Sequence, residues 1–425
     1  MPTPPTDTPE TERQPAEFAT PSRAILAASL LGIFLALVLP AYTGPDERGH
    51  IAYIAALAHG HLPTIPVGAV ADIATGTTWQ GQHPPLFYLL ATPVYLLAGK
   101  NAMVALYGVR LLCVGVLAIT VALCHRLASR FLTPGYAVAT AWIVALHPTV
   151  VYVCAMANNE ALATALSLAC VWSAVNACEI AEADTGKRRL WLVLATVFGG
   201  LGLLTKLTAV AGVCAAAYIA GHKRAGRILL PRGLVVLAGA IAIWLPWGLT
   251  MYRLHGTFVP SPVPNPAFTD GLWAFTLYPH SVFIVVVVAT AQFAVGLIDP
   301  YWLVAPYPFS YYPMLILGWS ITIWTLVIAA RQPKWRFVGV GFAALITLVV
   351  SQVLFRDQGA ILFLSRYVPA TAVLAAPMVV DSSSRLSPPI RSTAMAVWGT
   401  VVLATFAYIL YFFFVGPSVS TVAPK

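Results

Sequence analysis

LLGIFLALVLPAY, residues 30–42, runs almost directly into GPDERGHIAYIAAL, residues 44–57, so that Asp46 and Glu47 stand against the end of the first apolar segment. That segment starts at Ala24 and nears the roughly 20 apolar residues needed to cross a hydrocarbon core about 30 Å thick. It reads as a membrane span, and the two acids then fall where it leaves the bilayer. The rest of the chain reads the same way. Of 425 residues, 59% are hydrophobic and 9% charged, against roughly 25% charged in soluble domains, and the mean hydropathy is +0.81.

Apolar runs recur at about 24–42, 104–124, 135–153, 160–178, 189–205, 207–221, 232–252, 311–330, 337–354, 366–380 and 393–414. Ten-residue stretches of alternating polarity, the mark of a membrane barrel, are absent from the sequence, and lipid tolerates no other open strand. The fold class expected is an all-α polytopic membrane protein with about eleven transmembrane helices, within a range of about 10–13. Residues 85–99 are short and broken by Pro93, which suits a helix lying at the interface. Residues 283–298 are apolar enough to cross, yet crossing would carry the basic RQPKWR loop to the other side, so an interfacial or re-entrant helix is expected there.

With the N-terminus in the cytoplasm, the tail and the loops HRLASRFLTP, CEIAEADTGKRR, GHKRAGRILLPR, RQPKWR and DSSSRLSPPIRS hold 16 of the 24 Lys and Arg residues. That bias is the positive-inside pattern. It also accounts for the net charge of +9 without a nucleic-acid partner. Residues 1–23, rich in Pro, Thr and Glu, read as a disordered cytoplasmic tail, and 415–425 as a short outer tail. Between them, 24–414 form one transmembrane domain with two long outer segments, 43–103 and 253–310. The first span shows no small-residue cleavage site and is expected to be retained. The six cysteines have no CxxC spacing and read as small core residues.

Outside the tail and cytoplasmic loops the acids are Asp46, Glu47, Asp72, Glu160, Asp270, Asp299 and Asp357. Asp46 and Glu47 could simply cap the helix GHIAYIAALAHG, since acids favour a helix N-terminus. In GQHPPLFY, 81–88, two prolines hold the chain extended and set His83 just before an interfacial helix, at the depth of lipid phosphates. MANNEAL, 156–162, gathers Asn158, Asn159 and Glu160 at the end of a span; Glu160 either caps the next helix or is functional. Lys206 in GLLTKLTAV interrupts a long apolar stretch and either snorkels or meets an anionic headgroup. Arg366 and Tyr367, in FRDQGAILFLSRYVPA, lie in an outer loop, where arginine runs against the positive-inside trend and suits a phosphate. Asp46, Glu47 and His50 fall within about one helical turn, followed by His59, His61 and His83. Their spacing is no recognised zinc signature, so the sites are assigned no metal, with a divalent cation left as an alternative. No nucleotide-binding signature and no GxSxG occurs.

Taken in order, the DE pair after the first span, HGHLP, QHPPLFY, LYGVRLLCVGVLAIT, NNEAL, GLLTK and SRYVP resemble the GT-C superfamily of integral membrane glycosyltransferases. The resemblance is to the branch holding protein O-mannosyltransferases and the lipid A aminoarabinose transferase. It implies a polyprenyl-phosphate-linked sugar donor, which needs no nucleotide site, and transfer to a hydroxyl of a polysaccharide, lipid or protein acceptor on the outer face. It implies a multi-pass protein of a bacterial plasma membrane. Asp46 stands at the family's catalytic acid, Glu47 at the second acid of the pair, and Glu160 where the family usually has aspartate. His83 holds the place of a phosphate-binding lysine. Asp46 would be the general base of an inverting transfer; Glu47 and Glu160 would orient base or acceptor. Lys206, Arg366 and His83 would stabilise the leaving phosphate, with His50, Asn159 and Tyr367 also binding substrate. A transporter or lipid-carrier flippase is the alternative, but the halves show no inverted repeat. A non-catalytic subunit or polymer ligase of related architecture is the third reading.

Overall fold

Prolines and short polar residues mark where the helices begin. Pro21, Pro134 and Pro148 open helices at the first position, where the missing N–H costs nothing. Asn101 Oδ1 accepts from the Met103 and Val104 amides, Asn158 Oδ1 from Glu160 N and Asp184 Oδ1 from Lys187 N, so three further helices start on side-chain caps. The computed structural model describes residues 20–44, 46–66, 71–181, 183–222, 230–260, 323–324, 327–355 and 369–414.

In chain order the helices are α1 (Pro21–Val38), α2 (Glu47–Ala58), α3 (Leu86–Leu97), α4 (Ala102–Ala128), α5 (Pro134–Leu146), α6 (Pro148–Ala155), α7 (Asn159–Glu179), α8 (Thr185–Leu203), α9 (Val210–Gly221), α10 (Leu230–His255), α11 (Arg336–Phe355), α12 (Pro369–Ser383) and α13 (Pro388–Phe414). Among the described residues the protein is all-α but for one small antiparallel hairpin, in which Ala71 pairs with Thr78 and Asp72 with Thr77. Ten of the eleven apolar runs coincide with helices; 311–330 lies largely, and 283–298 wholly, outside the described residues. Among the described residues five helices are long and apolar enough to cross a bilayer singly: Pro21–Val38, Ala102–Ala128, Asn159–Glu179, Leu230–His255 and Pro388–Ala407 within α13. Both α2 and α3 have 12 residues, about 18 Å of helix, too short to cross. The segment between α1 and α4 therefore carries two helices that do not span, and the chain is a multi-pass membrane protein.

The run at 135–153 corrects the expectation of a single straight span. It divides into α5 and α6, bent by 57°. Pro148 forces the residue before it out of the helical region, and His147 is extended (φ −68°, ψ 114°). The junction is stabilised by His147 Nδ1, which accepts from the Val150 amide at 3.4 Å.

α7 is the central helix, with 78% of its apolar window buried, packed by α4, α8, α9 and α12. Its contact with α9 is close because Gly212 has no side chain: a Cβ there would sit 2.6 Å from Ser167 Cβ. Small residues let helix backbones approach where lipid supplies no hydrophobic drive. The outer surface is apolar, with Leu26, Leu37, Leu234, Met395 and Leu403 exposed, as lipid-facing side chains should be. At the far end of α4, Phe131 stacks near Trp335 (5.0 Å), and Asp381 accepts from Lys334, Trp335 Nε1 and Arg385. Gly212→Val should push α9 off α7 and cost about 1–3 kcal/mol or more, read as a fall in the melting midpoint of the detergent-solubilised protein; an unchanged midpoint would mean that the contact is not close-packed.

Candidate functional site

The chain leaves α1 at Leu39 and re-enters a helix at Glu47. Tyr42 (φ 60°) and Asp46 (φ 58°) both take the left-handed conformation, which costs a non-glycine residue about 1–2 kcal/mol. Asp46 stands at the N-cap position of α2, but with ψ 13° it lacks the extended geometry of a capping residue, and its side chain makes no capping hydrogen bond. Helix capping therefore does not account for this acid.

Glu47 holds the turn in place. Its Oε1 accepts from Arg110 Nε at 2.7 Å and from the Ala157 amide at 3.0 Å, and its Oε2 from Arg110 Nη2 at 2.6 Å and the Gly44 amide at 3.0 Å. A carboxylate offers about four acceptor sites, and all are taken. Arg110, in α4, spends its remaining N–H groups on the carbonyls of Ala36, Leu39 and Pro40, the first two being acceptors that the end of α1 leaves without a helical partner. Both side chains are fully buried. Glu47, expected beside Asp46 as a second functional acid, presents no oxygen to a ligand; its geometry is that of a brace for the Asp46 backbone.

The other face of α2 meets the HPP segment. His50 Nδ1 lies 3.0 Å from Tyr88 Oη, Tyr53 stacks on Tyr88 at 3.7 Å between centroids, and Tyr53 Oη donates to the His83 carbonyl at 3.1 Å. Thr78 Oγ1 donates to the Gly49 carbonyl, tying in the hairpin. Burial pushes both phenols upward in pKa, and at Tyr88 the neighbouring Tyr53 and Asp46 raise it further; Tyr88 thus stays protonated and can donate. Its oxygen also accepts from Asn159 Nδ2 at 3.3 Å, so Tyr88 Oη joins His50 to Asn159.

Two more segments close the cluster. The Leu86 amide donates to the Leu204 carbonyl at 3.1 Å, joining the start of α3 to the GLLTK turn. Lys206 Nζ pairs with Glu160 Oε2 at 2.8 Å, and Thr208 Oγ1 donates to Glu160 Oε1 at 3.0 Å. Glu160 is wholly buried and Lys206 nearly so. Lys206 therefore does not snorkel, and the cap of α7 is Asn158, not Glu160.

The four distant stretches that carry Asp46, Glu47 and His50, His83, Asn159 and Glu160, and Lys206 are joined to one another by these hydrogen bonds. Arg366 and Tyr367 lie outside the described residues, as do Asp270, Asp299 and Asp357. Asp72 stands apart in the hairpin, where hydrogen bonds from Thr75 and the Ala74 amide lower its pKa and close the turn. Among the described residues no three His, Cys, Asp or Glu side chains gather closely enough to hold a metal ion. Within the Asp46, Glu47 and His50 set, Glu47 is saturated and His50 Nδ1 is engaged by Tyr88. Arg110, Tyr53, Tyr88 and Thr208 were not singled out from sequence. Arg110 alone had a signal, a charge inside an apolar run.

Residues 82–249 match the family described as dolichyl-phosphate-mannose-protein mannosyltransferase. That stretch contains the HPP, NNE and LTK segments and begins after Asp46. Among solved structures, ArnT from Cupriavidus metallidurans in the apo state superposes with a TM-score of 0.54 at 16% identity, over 95% of this chain and 66% of that one. The same protein bound to undecaprenyl phosphate gives 0.51 at 18% identity, over 88% and 63%. The chain thus spans no more than about two thirds of the length of these proteins. No curated protein sequence is similar enough to count as a relative. The chain shares the fold of these ArnT structures.

Removing Arg110 should strand a buried carboxylate. Arg110→Ala is expected to cost about 3–5 kcal/mol, whereas Arg110→Met combined with Glu47→Gln, which removes both charges, should cost less than the two single changes added together. Thermal unfolding in detergent reads both; additive effects would mean that the two side chains are not coupled.

Proposed function

We propose that this chain is a membrane glycosyltransferase that moves a sugar from a polyprenyl-phosphate-linked donor to an acceptor hydroxyl on the outer face of a bacterial plasma membrane, with inversion at the anomeric carbon. What supports the reading is that the start of α2, the HPP segment, the start of α7 and the GLLTK turn are joined through Tyr88, Asn159 and Leu86, in a fold shared with ArnT and beside a stretch matching the mannosyltransferase family.

In this mechanism Asp46 accepts the proton of the acceptor hydroxyl while that oxygen attacks the anomeric carbon. The bond from that carbon to the phosphate oxygen breaks, and the polyprenyl phosphate leaves with the electron pair. A phosphate is already a good leaving group, so cations suffice to stabilise the charge it gains. Lys206 supplies one, aligned by Glu160 and Thr208; Arg366 and His83 supply the others, and Tyr367, His50 and Asn159 contact the sugar or the acceptor. Glu47 acts through the backbone, holding Asp46 in the left-handed turn. The acceptor is a polysaccharide, lipid or protein, and the N-terminus is cytoplasmic.

Asp46→Asn keeps shape and loses basicity. Transfer from a polyprenyl-phosphate sugar in isolated membranes should fall by about 10²–10⁴-fold. Undiminished transfer would remove Asp46 as base, and failure of the unaltered protein with every such donor would remove the transferase class. Lys206→Met should raise the KM for the donor by about tenfold or more, the worth of one charge-assisted hydrogen bond, and an unaltered KM would take Lys206 out of the phosphate site.

A further inference from the structure

The end of the bundle opposite the candidate site carries a second group of ionised side chains. Arg110 lies beside that site, and Ala128, where the same helix ends, stands about 27 Å further along its axis, close to the roughly 30 Å thickness of a hydrocarbon core. Beyond Ala128, Phe131 packs on Trp335 at 5.0 Å between ring centroids. Trp335 belongs to RQPKWR, 331–336, the turn before α11. It is fully buried, and its Nε1 donates to Asp381 Oδ2 at 2.9 Å. Lys334 Nζ and Arg385 Nη2 donate to the same carboxylate at 2.9 and 3.1 Å, and Arg385 Nη2 also to Gln332 Oε1 at 3.2 Å. One carboxylate near the end of α12 thus fixes the turn.

In this group the carboxylate is covered and the cations are on the surface. The Asp381 side chain is 11% exposed, against 37% for Lys334 and 57% for Arg385. Arg331 and Arg336 are exposed too, and neither makes a hydrogen bond or ion pair among the described residues. Four cations therefore share Asp381, and most of their N–H donors are unused. Arg336 also stands in the first turn of α11, where the helix dipole disfavours a cation and favours an anion, so helix stability does not explain its place. The depth of the group narrows where an anion would come from. Val327, 40% exposed, and Arg331 lie four residues apart on one helical face, which passes from apolar to basic within about one turn. Ile390, 57% exposed, follows shortly after Arg385 in the first turn of α13. Cations bordering an exposed apolar surface lie at the level of lipid headgroups. A phospholipid there offers a phosphate to the guanidinium forks and acyl chains to the apolar face at once.

We propose that Arg331, Lys334, Arg336 and Arg385 form a binding site for the phosphate of an anionic phospholipid of the surrounding bilayer, with its acyl chains against the face that carries Val327. Arg331 and Arg336 contact the phosphate. Lys334 and Arg385, tied to Asp381, hold the turn in shape and add to its charge. The site is remote from Asp46 and Lys206, and the inference does not depend on the sugar-transfer reading.

The test is lipid binding to the full chain in a non-ionic detergent, counted by native mass spectrometry during titration with phosphatidylglycerol or phosphatidylcholine. Phosphatidylglycerol should bind at least about tenfold more tightly. Arg331→Gln combined with Arg336→Gln should lower that affinity about tenfold or more, because two cations near a charged headgroup are lost. Arg331→Gln alone should give a smaller loss in the same direction. Neither change should move the lipid-free melting midpoint, since these two side chains have no partner among the described residues. Lys187→Gln combined with Arg189→Gln removes two exposed cations at the start of α8 instead and should leave the affinity unaltered. Equal binding of the two lipids overturns the proposal. So does an equal loss from the two double variants, which would make the attraction a property of the basic loops at large. Displacement of phosphatidylglycerol by an equal concentration of inorganic phosphate overturns it as well, because the ligand would then be a free anion and not a lipid.

Discussion

The Glu47–Arg110 pair is the constraint on which the rest of the site depends. Two charges taken from water into the interior carry a desolvation penalty of several kcal/mol each, and their attraction offsets it only when the remaining donors and acceptors are also satisfied. Here they are: the guanidinium N–H groups reach Glu47 and three carbonyls at the end of α1, and the carboxylate takes Arg110 and two backbone amides. One interaction thus joins the end of α1, the start of α2, the middle of the Arg110-bearing helix and the Ala157 segment before α7. Because every group in it is used, α2 cannot rotate or slide without exposing a buried charge. The left-handed turn at Asp46 persists for that reason and not through local propensity.

The same device recurs at Glu160 and Lys206, where a second buried pair, with Thr208 as third partner, fixes the GLLTK turn against α7. A third cluster at Asp381 fixes the loop before α11 to α12, on the far side of α4's length. In a chain with 15 acids among 425 residues, a buried carboxylate is placed where a turn between spans must be held. Aromatic contacts do the complementary work: Tyr53 on Tyr88, with His50 beside it, makes α2 and α3 one platform. Helices of about 18 Å cannot anchor themselves across a bilayer, so this platform takes its position from the pairs beneath it.

Much of this was legible in the sequence, and what was not has a common cause. Helix existence followed from apolar runs and proline placement, and even the break in the 135–153 run has a visible origin in His147-Pro148. The short stretches DE, HPP, NNE and LTK were each legible as candidates, and they do converge. Which side chain meets which was not legible, because Glu47 and Arg110 are 63 residues apart and no local spacing encodes their pairing. Glu47 looked like a second functional acid for the same reason that it is well placed to be a brace: a carboxylate beside the end of a span is costly whichever role it has. Lys206 looked like a snorkelling cation because Glu160 could not be seen beside it. Tyr88 sat inside a quoted motif whose histidine and prolines drew the chemistry, although its hydroxyl is the hub between His50 and Asn159.

That hub carries the coupling between elements that no ion pair joins. Tyr88 Oη lies 3.0 Å from His50 Nδ1 and accepts from Asn159 Nδ2, which also faces the Thr205 carbonyl, so one line of polar contacts runs from α2 through α3 to α7 and the GLLTK turn. Members of such a network polarise one another. A change at any link is therefore felt by the others, even when the ion pairs that hold the backbone stay intact.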